Sequence, residues 1–164
     1  MAQRRIQGVS EGSTQGGEEM KKIGEYTAKG QIPINTTRRI ELFDGRFDTG
    51  YRIVSFTVTP ANAAGNYDAY GKLSTDGSTQ GQGNEWNWDF NEELAWAFYG
   101  TAQSAGTDSF GSWVDPDNMV VEDIFFRSGT GTDGQAVNYM IHLEKYDITD
   151  WQGALAMVRN RSQA

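Results

Sequence analysis

The residues able to do chemistry are few and scattered. The one histidine, His142, sits in Ile141-His142-Leu143, so on a strand its ring points away from both apolar neighbours. With no cysteine, no second histidine and no Gly-x-Ser-x-Gly elbow, it has neither a zinc set to join nor a nucleophile to activate. It reads as an outward surface residue. Glycoside hydrolysis by acid and base needs two carboxyls about 5–10 Å apart across a cleft. Asp89, Glu92 and Glu93 are best placed for that, because Trp86, Trp88 and Trp96 beside them offer indole faces to a sugar ring. The competing reading makes them solvated positions of a strand pair whose tryptophans fill a core. Asp44 with Asp48, and Asp115-Pro116-Asp117-Asn118, are oxygen-rich loops suited to a hard cation. Neither has the spacing of a calcium loop, and the second is ordinary turn chemistry. Gly129-Thr130-Gly131-Thr132-Asp133-Gly134 lacks the Lys-Ser/Thr and the following helix of a phosphate-binding loop, and is a turn. No catalytic residue, metal or cofactor is expected, and the chain is expected not to be an enzyme.

The elements that would position these residues belong to one domain of 164 residues. A chain of that size buries about 70% of its unfolded surface and needs no disulfide or metal to hold a core. Aromatic residues make up 12% of it, too many for a solvated disordered chain, and twenty glycines exclude a coiled coil. Zero cysteines exclude a disulfide scaffold, an iron–sulfur cluster and thiol catalysis. A net charge of −8 argues against direct nucleic-acid binding, which requires a basic footprint. No apolar run is long enough to span a membrane, and Met1 to Gly8 lacks the apolar stretch of a secretory signal.

Charge divides the chain. Residues 1–39 carry seven basic and four acidic side chains, net +3, and the rest carry seven basic and eighteen acidic ones, net −11. The composition predicts an extended or flexible N-terminal arm over residues 1–37 and a β-domain over 38–164. Arg4, Arg5, Ile6, Lys21, Lys22, Ile23, Ile32 and Ile34 are the arm residues expected to grip a partner, since they are too few to form a core of their own. Alternation predicts strands near 39–43, 51–59, 67–73, 85–90, 91–99, 119–127 and 137–146. Val54, Phe56 and Val58 should share one face, and Val137, Tyr139, Ile141 and Leu143 should point inward. Residues 100–111 read as a loop. Trp151, Leu155 and Val158 share a helical face, so a short C-terminal helix is expected over about 150–161. Together these elements predict a mainly β fold, an antiparallel β-sandwich or flattened barrel.

Lys72-Leu-Ser-Thr-Asp76, Trp86-Asn-Trp-Asp-Phe-Asn-Glu-Glu-Leu-Ala-Trp-Ala97, Val137-Asn-Tyr-Met-Ile-His-Leu-Glu-Lys-Tyr146 and the closing Ala-Met-Val-Arg-Asn-Arg-Ser-Gln163 give residues 38–164 a texture that resembles small virion structural proteins of tailed, especially marine, phages. The resemblance implies a β-rich capsid decoration protein, made in the host cytoplasm and carried on the capsid surface. It would associate with copies of itself, for example as a trimer, and bind the major capsid protein or another virion protein, without touching nucleic acid or membrane. Two other readings use the same residues. A carbohydrate-binding module for host attachment would stack sugars on Trp86, Trp88 or Trp113, and a tail-tube or connector subunit would form rings.

Overall fold

The computed structural model describes residues 20–62, 64, 67–78, 81–102, 107–130 and 135–148. Arg4, Arg5, Ile6 and the helix expected over 150–161 lie outside them. The fold is mainly β, with β1 (Met20–Ile32), β2 (Thr37–Ile40), β3 (Thr49–Pro60), β4 (Ala69–Ser74), β5 (Glu93–Ala102), β6 (Thr107–Val114), β7 (Ile124–Gly129) and β8 (Val137–Ile148). They form two antiparallel sheets, ordered β1-β8-β3 and β2-β7-β4-β5-β6. One core joins the sheets. Phe126 of the larger sheet meets Phe56 and Tyr139 of the smaller at ring distances of 5.7 and 4.6 Å. Gly71 permits that approach, since a Cβ there would lie 2.5 Å from the Phe126 ring.

Strict alternation makes β8 the central strand of the smaller sheet, with Val137, Tyr139, Ile141 and Leu143 all buried. β3 alternates too, but its phase changes. Tyr51 and Ile53 point inward, Val54 is 44% exposed, and Phe56 and Val58 point inward again. A bulge between Ile53 and Ser55 adds one residue and moves Val54 off the face it was expected to share. Asn118 secures this bulge: its side chain accepts from the Ile53 amide at 2.7 Å and donates to the Ile53 carbonyl at 3.2 Å.

Other expected elements are rearranged. Residues 85–90 are not a strand; two of their amides bond within the segment, Phe90 N to Asn87 O and Asp89 N to the Asn87 side chain. Within 100–111, where a loop is expected, β5 runs on to Ala102 and β6 starts at Thr107. β6 is an edge strand that needs only β5, so weak glycine- and serine-rich alternation suffices. The strand expected over 119–127 begins only at Ile124, because Val120 is held by a separate two-bond bridge to Tyr51. Finally, residues 20–32 of the expected arm are a full strand laddered to β8, and Ile32 is buried in the core.

Candidate functional site

The larger sheet's outer face carries the aromatic residues singled out in the sequence. On β5 the alternation puts Ala95 and Ala97 inward and Trp96 and Phe98 outward. On β4 the outward residues are Tyr70, Lys72 and Ser74, and on β6 Trp113 stands opposite Trp96. Segment 81–92 lies over this face and is fixed by one buried ion pair. Lys72 Nζ donates to the Glu93 carboxylate at 2.9 Å and to the Glu85 carbonyl at 2.7 Å. The other Glu93 oxygen accepts from Trp96 Nε1 at 2.8 Å and from the Asn87 amide at 3.0 Å. Both charged side chains are 1% exposed. One carboxylate thus ties β4, β5 and the overlying loop together.

Trp86, Trp88 and Trp113 come together over that clamp. Trp88, 62% exposed, lies 5.3 Å from buried Trp96 and 6.5 Å from Trp113. Trp86 packs 5.9 Å from Trp113, and its ring nitrogen donates to the Gly83 carbonyl. Trp113, 43% exposed, stacks on Phe98, which stacks on Tyr70. These three tryptophans therefore do not fill the core between the sheets. Nor do they make a flat platform, since Trp113 is inclined by 60° to Trp86 and by 54° to Trp88. Sequence reasoning passed over Lys72, although a lone lysine inside Tyr70-Gly71-Lys72-Leu73 is a charge that needs a partner.

The remaining polar candidates hold the structure together. Glu93 is enclosed and bonded on both oxygens, whereas Asp89 is exposed and Glu92 half-buried. Partial burial opposes ionisation of Asp44, but hydrogen bonds from Lys145, the Arg46 amide and Thr49 outweigh it and hold the carboxyl below its usual range. Asp48 is held low by a two-bond contact from Arg46, at 2.7 and 2.6 Å. Asp115 accepts from the Asp117 amide, and Asn118 serves the β3 bulge. Among the described residues no group of three or more His, Cys, Asp or Glu side chains could hold a metal ion. His142 meets Glu25 at 3.1 Å on the outer face of the smaller sheet.

The arm residues within the described segments are divided between surface and core. Lys21, Lys22 and Ile23 lie on β1, where Lys22 pairs with Glu25 at 2.7 Å and Glu144 at 3.0 Å. The Lys22 hydrogen bond holds Glu25 below the ordinary carboxyl range. Ile23 is 50% exposed beside a bulge. Ile32 and Ile34, expected to fill a neighbour's groove, pack on this chain's own core instead. The reason is pairing: β1 follows β8 from Met20 to Ile32, which carries Ile32 over Val137. β1 is also an edge, and among the described residues no strand covers its far side. Pro33 to Thr36 turn the chain directly into β2, an edge strand of the other sheet. Comparison of the chain with protein-family models and with curated proteins returns no match.

Proposed function

We propose that this chain is a non-enzymatic virion structural protein: a β-sandwich that decorates a phage capsid, associates with its own copies, and reaches the shell with the segment preceding β1. The observation that carries the reading is β1 itself, a 13-residue edge strand with exposed Ile23 and Tyr26 and an unpaired far side among the described residues. Such an edge can add a partner strand through backbone hydrogen bonds. The lysines of β1 limit indiscriminate pairing, as charged edges do. The clamped carboxylate of Glu93 fits the same reading as a structural part, because its bonds to Lys72, Trp96 and the Asn87 amide hold β4, β5 and the overlying loop together.

The test removes residues 1–19 and leaves β1 whole. We expect the shortened chain to keep the full-length thermal midpoint and to lose co-sedimentation with purified virions stripped of the protein. Undiminished binding would overturn the role of the leading segment. Absence of the full chain from virions by immunogold labelling would overturn the virion assignment. A second reading, a carbohydrate-binding module, draws on the exposure of Trp88 and Trp113. Glycan-array binding that vanishes in Trp88→Ala would replace the assembly reading.

A further inference from the structure

The self-association proposed above leaves open which surface meets which, and β1 carries a pattern that answers this. Its regular part, after the bulge at Ile23, begins Gly24-Glu25-Tyr26-Thr27-Ala28-Lys29-Gly30. About Thr27 this window is self-complementary. Placed antiparallel against a second copy with Thr27 opposite Thr27, it sets Glu25 opposite Lys29, Tyr26 opposite Ala28 and Gly24 opposite Gly30, each twice by symmetry.

The faces match as well. Glu25, Thr27 and Lys29 lie opposite Glu144, His142 and Met140 of β8, so they share the outer face of the smaller sheet. All three are exposed. Tyr26 and Ala28 lie opposite buried Leu143 and Ile141, so they share the inner face. Directly opposed residues of an antiparallel pair lie on one face, and opposite charges, paired threonines and a large aromatic beside a small residue all favour pairing. Lys29 enters none of the ion pairs among the described residues. Glu25 already holds Lys22 and His142, one on each oxygen, and a carboxylate has room for a further donor. Moving the two-fold axis from Thr27 to Glu25 would instead put Lys29 opposite Lys21 and Glu25 opposite itself. A register that sets Lys22 against Glu25 would run through the bulge, where the ladder is broken.

We infer that β1 pairs antiparallel with β1 of a second copy about Thr27, joining two three-stranded sheets into one of six strands. The partner is this chain itself, selected by the Glu25–Lys29 complementarity. This rests on the proposed self-association, and the test separates the two.

The experiment is sedimentation equilibrium of the full chain and two charge variants, each checked for native circular dichroism. The wild type is expected to dimerise. Lys29→Glu and Glu25→Lys each place like charges opposite each other twice, and each alone should dimerise about tenfold more weakly or worse. Mixed in equal amounts they should recover the dimer, because the heterodimer again sets opposite charges against each other at both positions. A wild type that associates while the variants behave like it, or variants that do not rescue each other, would overturn the register and leave self-association standing. A wild type that is monomeric up to millimolar concentration would overturn both.

Discussion

Lys72 and Glu93 show what a single buried charge asks of its surroundings. Isolated, either side chain at 1% exposure would be costly, and together they are held by each other, two amide or indole N–H groups and one carbonyl. Because the pair is enclosed, its attraction is little screened, but so is the charge left behind when one member goes. Lys72→Met should therefore cost about 3–5 kcal/mol in urea unfolding, since Glu93 would remain buried without its cation. The double variant Lys72→Met/Glu93→Gln keeps an acceptor for Trp96 Nε1 and the Asn87 amide without a buried charge. It should be markedly more stable than Lys72→Met alone. Equal losses in the two proteins would show that the ion pair is not what fixes the tryptophan loop.

At the scale of elements, the β3 bulge turns local sequence into sheet geometry. One inserted residue would leave backbone groups of Ile53 unsatisfied, and the buried Asn118 amide takes up both its N–H and its C=O. Asn118→Ala should destabilise the fold by about 1–3 kcal/mol, with faster hydrogen exchange at the Ile53 amide. Unchanged exchange there would separate Asn118 from the bulge. The same strand marks how far the sequence could be read. β8 was legible because branched and aromatic residues alternate along it without interruption. β3 was legible as a strand but not in phase, since nothing in Ile53-Val54-Ser55 announces the extra residue. Residues 85–90 misled because alternating tryptophans satisfy a strand pattern equally well when a loop folds over a sheet. β1 hid behind Gly24 and Gly30 and its lysines, which lower local strand propensity; its place is set by long-range pairing with β8. Trp86, Trp88 and Trp113 come together in space, whereas the lysine holding their loop was found only through its contacts.

Across the whole molecule, charge is unevenly spread. Residues 20–39 carry five basic side chains and one acidic one, net +4, in a chain of net −8. These residues form β1 and β2, edges of the two sheets joined by a tight turn, so the basic character lies on folded strand edges. Two opposing effects then set the response to acid. From neutral pH toward the isoelectric point near 4.6, protonation relieves self-repulsion among the excess carboxylates and favours folding. Below that, the carboxylates with depressed folded values decide. Asp123 is the most enclosed of them: burial opposes its ionisation, and the Phe43 and Leu42 amides and Arg39 more than compensate. A carboxyl whose folded value lies below its unfolded one adds stability above the unfolded value, about 3.9 for aspartate, and loses it as pH falls through the folded one. The urea midpoint should accordingly be highest near pH 5 and fall below about pH 4. Asp123→Asn keeps one acceptor and removes the titration, so it should lower stability at pH 7 while flattening the acid limb. An acid limb as steep in Asp123→Asn as in the wild type would assign acid sensitivity to the other carboxylates held low, Glu25, Asp44, Asp48, Asp76 and Glu144, instead of to this enclosed one.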